Sequence, residues 1–283
     1  MKWTGTLLAC LLVACGGQSD VVSEAPPPPT VFGGEREVEL EVPSSYDPAE
    51  PAPLVFLLHG LGVSANIQEI LFKIGPAAEA RGMLFAHPQG TRDGQGRPFW
   101  NATDLCCDFD GTEVDDAGYL AGLIEEISAA YAVDPKRIYF TGHSNGHFMS
   151  YRMACDHPEL VAGIAGLAGA MYSDPSLCEA GAPVNVLHIH GTDDDLVPFE
   201  DAAEPSARRW AELNGCTSEV REEGVLDLES KVAGAESDVL RWEGCAPGGA
   251  TELWTMHGGA HIPNLTPDWA DLLLDWMLAH PKP

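Results

Sequence analysis

A chain of 283 residues, 45% hydrophobic and 20% charged, has the composition of a globular protein and enough length to bury a substantial core. Its formal charge of −28, from 15 basic against 43 acidic residues, repels phosphate backbones and anionic lipid heads alike. Nucleic-acid binding is thereby excluded, and attachment to a membrane has to come from something other than charge.

Met1-Lys2-Trp3 leads into the apolar stretch Leu7 to Cys15, which is too short to span a bilayer and has the length of a signal-peptide core. Its end, Leu12-Val13-Ala14-Cys15-Gly16, resembles the lipobox of bacterial lipoproteins. The resemblance implies removal of residues 1–14, acylation of Cys15, and an exported protein held to a bacterial membrane by that lipid alone. Leu7 to Cys10 has the same look but leaves almost no hydrophobic core before it. An ordinary signal peptide with an incidental cysteine is the competing reading. Residues 15–34 read as a tether, small and polar, stiffened by Pro26 to Pro29.

From residue 35 to 283 the pattern is that of one domain. Glu35 to Val42 alternates charged and apolar residues, as an edge strand does, and Pro53 to Leu58 is a continuous apolar run of the kind buried on both faces of a parallel sheet. Ala65 to Ala80 is helical in composition, and Met83 to Ala86 is a short strand. Asp115-Asp116 can cap a helix with the stripe Leu120, Leu123, Ile124, Ile127 and Tyr131. There follow a strand over Arg137 to Phe140, a helix from Asn145, an apolar run over Leu160 to Ala168, and strands over Val184 to His190 and Glu252 to Met256. Thr266-Pro267-Asp268 reads as N-cap, N1 and N2 of a closing helix with Trp269, Leu272, Leu273, Trp276 and Met277 on one face. Strands alternating with helices predict an α/β fold: a doubly wound, mostly parallel sheet with helices on both faces.

Beyond Cys15 six cysteines remain: Cys106, Cys107, Cys155, Cys178, Cys216 and Cys245. An even number in an exported chain favours disulfides, and no Cys-x-x-Cys pair points to zinc. Adjacent cysteines bridge each other with difficulty, so Cys106 and Cys107 are expected to reach different partners.

Gly142-His143-Ser144-Asn145-Gly146 stands between a predicted strand and a predicted helix, the context in which G-x-S-x-G makes a sharp turn that exposes its serine. A serine hydroxyl needs a general base to act as nucleophile, and an acid to orient that base. In this chain order the acid falls among Asp193, Asp194 and Asp195, and the base is His257 or His261. His59-Gly60-Leu61-Gly62 ends an early strand; its backbone N–H groups, with that of Asn145, can hold an oxyanion.

The segments Leu57-Leu58-His59-Gly60, Trp100-Asn101-Ala102, Cys106-Cys107, Val114-Asp115-Asp116, Gly142 to Gly146, Tyr151 to Cys155, His190-Gly191-Thr192 and Gly258-Gly259-Ala260-His261 occur in one order. Together they resemble the secreted feruloyl esterase and polyhydroxybutyrate depolymerase family of α/β-hydrolases, over roughly residues 35 to 280. The resemblance implies the α/β-hydrolase fold, a catalytic triad of Ser144, Asp194 and His261, and oxyanion donors at Leu61 and Asn145. It also implies a Cys216–Cys245 disulfide, which leaves Cys106 and Cys107 to Cys155 and Cys178 in an unassigned order. Trp100 and Ile262 are the expected substrate contacts. Ile262-Pro263 stands where family members often carry Thr or Ser and then Trp-Pro, and His147 where Gly is common.

The activity implied is serine carboxylic-ester hydrolysis of a small or oligomeric ester, feruloyl or acetyl-xylan in type, without cofactor or metal. A polyhydroxybutyrate depolymerase is the alternative within the family. A serine peptidase of this fold usually brings a propeller or large lid, for which the chain lacks room. A non-catalytic binding lipoprotein is disfavoured by the intact triad residue types. The acids of Asp108 to Asp116 do not match EF-hand spacing. His188 and His190 alternate on a strand with no obvious third metal ligand, and so read as core histidines.

Overall fold

The computed structural model describes residues 1–3 and 26–283. Cys15, nearly all of the expected signal segment and the first part of the tether lie outside the described residues.

Two short strands, β1 (Val31–Phe32) and β2 (Val38–Glu41), precede the fully buried β3 (Ala52–Leu58). The helices α1 (Ala65–Phe72) and α2 (Ile74–Ala80) lead to β4 (Leu84–Ala86), and a small hairpin joins β5 (Thr91–Arg92) to β6 (Pro98–Phe99). Then come α3 (Asp116–Ala130), β7 (Val133–His143), α4 (Asn145–Asp156), β8 (Gly163–Leu167) and β9 (Asn185–Gly191). The chain closes with α5 (Phe199–Leu213), β10 (Val220–Leu226), β11 (Ser237–Trp242), β12 (Thr251–Met256) and α6 (Trp269–Ala279).

Ten of these strands form one sheet in the order β1-β2-β4-β3-β7-β8-β9-β12-β11-β10. The six from β4 to β12 run parallel, and the two at either end are antiparallel. Alternate residues of β3 separate the core in two. Leu54, Phe56 and Leu58 pack with residues of α3 and α4, while Val55 and Leu57 pack with residues of α1, α2 and α6 on the other face. This is the doubly wound arrangement. From β3 the chain first steps outward to β4 and then crosses back to β7, so the sheet reverses its direction of growth between β3 and β7. Open α/β sheets bind ligands at the carboxyl ends of strands at such a point.

Three features depart from the sequence pattern. The predicted helix over Ala65 to Ala80 is two helices, because Pro76 has no N–H for the carbonyl of Phe72 and its ring clashes there. Lys73 turns the chain in the left-handed region (φ 56°), and the Glu69 carboxylate accepts from the freed amides of Ile74 and Gly75 at 3.1 and 2.9 Å. Thr266 does not cap the last helix: its hydroxyl donates to the Asp227 carbonyl at 2.9 Å, and the helix starts at Trp269 behind Asp268. The third concerns the cysteines. Cys155, at the end of α4, bonds Cys178, with Cα atoms 5.1 Å apart. That pairing consumes both partners expected for Cys106 and Cys107, and these adjacent cysteines are joined to each other across a cis peptide. Cys216 and Cys245 form the remaining bridge.

Candidate active site

Leu58 of β3 pairs with Gly142 of β7, which sets the turns after the two strands side by side. Between β7 and α4 the backbone turns at Ser144 with φ 52°, a left-handed conformation that costs a non-glycine residue of order 1–3 kcal/mol. So sharp a turn needs both flanking glycines. A Cβ at Gly146 would fall on the Leu58 carbonyl oxygen, and one at Gly142 would lie 2.5 Å from the Gly146 carbonyl carbon. The Ser144 amide donates to the Leu167 carbonyl of β8 at 2.8 Å, fixing the turn to the sheet.

Met256 of β12 pairs with Gly191 of β9, so the turns following these strands also meet. His261 Nδ1 stands 2.8 Å from Asp194 Oδ2, and both residues are buried. The other carboxylate oxygen of Asp194 accepts from the amides of Leu196 and Val197 at 3.0 and 2.8 Å. Burial pushes the Asp194 pKa up, but hydrogen bonds from His190, His261 and the Val197 amide outweigh it and hold the carboxyl well below the usual carboxylate range. Asp193 and Asp195 are exposed. His257 is exposed too, and its Nε2 pairs with Asp238 Oδ2 of β11 at 2.7 Å. Of the three aspartates and two histidines in contention, the structure brings together Asp194 and His261.

Ser144 and His261 are linked through His143. Its Nε2 donates to the His261 carbonyl at 2.7 Å, and the two imidazole centroids are 4.9 Å apart. Burial lowers the His143 pKa to about 4, so the ring is neutral at pH 7. Its position inside the pentapeptide was the only signal of this bracing role.

Leu61 and Asn145 lie on the two turns that β3 and β7 set side by side. At Gly60 an added Cβ would stand 3.6 Å from the Ser144 Cβ, so the backbone leading to Leu61 passes directly beside the serine. Asn145 is the first residue of α4, where amides lack intrahelical acceptors. Its side chain is engaged elsewhere: Oδ1 accepts from the Trp100 amide at 2.7 Å and Nδ2 donates to the Trp100 carbonyl at 2.9 Å. Two side chains brace the Leu61 turn. Gln68 Oε1 accepts from the Gly60 amide at 3.2 Å. His59 Nδ1 donates to the Gly60 carbonyl at 2.9 Å while its Nε2 accepts from the Gly90 amide at 2.8 Å. Burial lowers the His59 pKa to about 4, in keeping with that neutral, donor-and-acceptor ring.

The expected substrate contacts separate. Trp100 is wholly buried, packed on His59 with ring centroids 5.1 Å apart, and so belongs to the support of the site and forms no wall of an open cleft. The backbone of the segment is held from several sides. The Asn101 amide donates to Asp116, which also pairs with Arg36, and Arg152 donates to the Asn101 carbonyl. Ile262 is 60% exposed. It borders a cleft of about 280 Å³ whose walls include Leu71, Phe72, His143, Leu265 and Trp269. His143 and Ile262 are the chain neighbours of Ser144 and His261, which do not themselves line the cleft. Phe72 and Trp269 meet edge to face at 5.2 Å, which gives the cleft an aromatic wall that the sequence pattern had placed elsewhere.

The aspartates of the 108–116 segment are occupied by the chain itself. Asp108 accepts from the amides of Thr112 and Glu113, Asp110 from that of Gly94, and Asp115 caps α3 at Gly118.

Residues 39–219 match the family described as phospholipase/carboxylesterase. The chain is 28% identical over 243 residues to feruloyl esterase B of Piromyces equi, covering 80% of this chain and 42% of that protein. It is 24% identical over 254 residues to a bifunctional acetylxylan esterase/xylanase of Neocallimastix patriciarum, covering 88% of this chain and 34% of the relative. The chain thus spans less than half the length of either. Among solved structures, acetyl xylan esterase from Aspergillus awamori superposes with a TM-score of 0.63 at 16% identity, covering 85% of this chain and 93% of that one. Esterase PE8 does so with a TM-score of 0.59 at 19% identity, covering 89% and 99%. At such identities the likeness shows the shared fold.

Proposed function

Starting from the phospholipase/carboxylesterase family of α/β-hydrolases, to which this chain belongs, we propose that the protein is a serine carboxylic-ester hydrolase working through an acyl-enzyme. The observation that carries this reading is the 2.8 Å contact of His261 Nδ1 with Asp194 beside the strained turn at Ser144. Ser144 Oγ attacks the ester carbonyl as His261 Nε2 takes its proton. Asp194, held ionised, keeps the His261 proton on Nδ1 and stabilises the imidazolium. The N–H groups of Leu61 and Asn145 receive the negative oxygen of the tetrahedral intermediate. Collapse expels the alcohol, which takes the proton from His261 and leaves the acyl group on Ser144. Water, deprotonated by His261, then releases the acid. Turnover of p-nitrophenyl acetate, abolished by an organophosphonate that adds its mass to Ser144, is the expected result. Absence of both turnover and labelling would favour a binding protein built on a hydrolase fold.

On the acyl side we propose soluble esters with small or aryl acyl groups. The cleft that reaches His143 and Ile262, the chain neighbours of Ser144 and His261, has Leu71, Phe72 and Trp269 in its lining, apolar and aromatic groups of the kind that suit a flat ring. The relatives named as feruloyl and acetylxylan esterases support the same class. Methyl ferulate is expected to be hydrolysed faster than a polyhydroxybutyrate suspension is cleared; the opposite ranking would make the protein a depolymerase.

Export and lipid anchoring at Cys15 complete the proposal, supported by the short apolar N-terminal stretch, the Pro-rich run after it and the disulfides. Cys15→Ser is expected to move the protein from the membrane fraction to the soluble one. Because a single acyl chain binds a bilayer only marginally, stable retention of the unaltered protein requires more than one. Full retention of the serine variant would point to another anchor.

A further inference from the structure

Behind Asp194 a line of hydrogen bonds runs into the core. Tyr151 Oη lies 2.9 Å from His188 Nδ1, and His188 Nε2 lies 2.9 Å from His190 Nδ1. His190 Nε2 then stands 2.8 Å from the Val197 carbonyl and 3.2 Å from Asp194 Oδ2, the same oxygen that faces His261. All three side chains are buried, and the two imidazoles stack 5.2 Å apart and 7° from parallel.

The direction of this line follows from its ends. His190 Nε2 faces two acceptors, a carbonyl and a carboxylate, so it carries a hydrogen. At the far end the Tyr151 hydroxyl has, among the described residues, one hydrogen-bond partner able to accept its proton, His188 Nδ1. If His188 Nδ1 carried the hydrogen instead, the phenolic proton would be buried without an acceptor, which is costly. The arrangement that satisfies every group has Tyr151 O–H donating to His188 Nδ1, His188 Nε2–H donating to His190 Nδ1, and His190 Nε2–H shared between the Val197 carbonyl at 2.8 Å and Asp194 Oδ2 at 3.2 Å. Burial pushes the Tyr151 hydroxyl up and the His188 ring down, which keeps both groups neutral as this ordering requires. The other groups facing the line are His147 of α4, packed 5.0 Å from His188 and 4.8 Å from Tyr151, and two residues of α5, Trp210 at 5.7 Å from Tyr151 and Phe199 edge-on to His190. His143 and His261 lie on the far side of Asp194.

From this we infer that His190 is a positioning residue for the hydrolysis proposed above, its N–H pinning the Asp194 oxygen that holds His261, and that Tyr151 and His188 fix the tautomer in which it does so. Asp194 Oδ1 is anchored by two amides whether or not His190 is present, but Oδ2 has only the two imidazoles. Without His190 the carboxylate pivots about Oδ1, and the proton on His261 Nδ1 loses a fixed partner.

The inference rests on the serine-hydrolase reading, and its test has an arm that does not. In the intact protein the proton of the His261 Nδ1–Asp194 hydrogen bond should give a sharp, far-downfield NMR resonance, whatever the substrate. His190→Leu is expected to broaden or abolish that resonance, to lower kcat on p-nitrophenyl acetate by about 10- to 100-fold with KM within about twofold, and to move the acid limb of kcat/KM to lower pH as the imidazolium loses its counter-charge. His190→Gln, whose amide can still donate to Asp194, should regain the resonance and most of kcat. Tyr151→Phe keeps the ring's shape and should show the same changes in milder form. Should the leucine variant fail to fold, the glutamine and phenylalanine variants decide: both the milder change in one and the recovery in the other are required. A sharp resonance and an unmoved acid limb in His190→Leu, or a glutamine variant no better than leucine, would overturn the inference. Wild-type protein lacking Ser144-dependent turnover would overturn the function proposed above, while the NMR comparison would still judge the hydrogen-bond line.

Discussion

Ser144→Ala is expected to lower kcat on p-nitrophenyl acetate by roughly 10⁴-fold or more, with KM little changed and the fold intact. The hydroxyl is the only group on this turn that can form the acyl bond, so no neighbour substitutes for it. Alanine keeps the Cβ, and therefore keeps the cost of holding φ at 52°. Glycine does not. Ser144→Gly should be equally inactive yet more stable than the alanine variant, by about 1 kcal/mol, because the left-handed turn is then adopted without strain. Measuring both variants separates chemistry from architecture: activity disappears in each, and the melting temperature rises only with glycine. An alanine variant retaining a tenth of the wild-type kcat would sink the nucleophile assignment, and two variants of equal stability would show that the turn carries no strain.

Much of this fold was legible because the parallel strands are buried on both faces. Pro53 to Leu58 reads as a continuous apolar run and Val184 to His190 and Glu252 to Met256 as largely apolar strands, and β3, β9 and β12 lie there. The elements that left no trace have a physical reason for it. Helix α5 is amphipathic, with Ala202, Ala203, Ala207, Trp210 and Ala211 buried and its acids and arginines outside, but most of that inner face is small alanine and Pro205 inside it argues against a helix. Strand β10, Val-Arg-Glu-Glu-Gly-Val-Leu, is exposed along nearly all its length. It pairs only with β11 at the edge of the sheet, and charged residues on an edge strand discourage further pairing. Strand β10 thus contributes no alternating apolar signal.

The candidate site divides along a different line. Ser144 and the turn around it were legible locally, since glycine spacing and flanking elements are features of neighbouring residues. Which aspartate and which histidine would approach each other depends on how the turns after β9 and β12 meet, and spacing alone left three aspartates and two histidines open. The cysteines show the same limit: adjacency argued against a Cys106–Cys107 bond, but the partners were decided by the packing that brings Cys178 to the end of α4. Trp100 was marked through its neighbourhood with Asn101, and the segment does matter to the site, yet through its backbone and burial rather than as a contact to substrate.

The histidines give the sharpest contrast in the loop after β12. Replacing His261 by alanine is expected to cost roughly 10⁴-fold or more in kcat, comparable with loss of Ser144, because nucleophile and base act as a unit. His257→Ala, four residues away, should leave kcat within about twofold. His257 is exposed, and its one partner is Asp238, also exposed. A pair of that kind is worth about 1 kcal/mol or less, so even stability should hardly change. The fold should also survive loss of His261, since Asp194 would keep the amides of Leu196 and Val197 and the His190 N–H. The measurement is kcat for both variants on one ester, with thermal melts run in parallel. A dead His257 variant beside an active His261 variant would mean that the hydrogen bond at Asp194 is structural and that the base comes from elsewhere. Two dead variants with lowered melting temperatures would mean that the loop itself had collapsed. Only an inactive, normally folded His261→Ala beside an active His257→Ala fits a base held by Asp194.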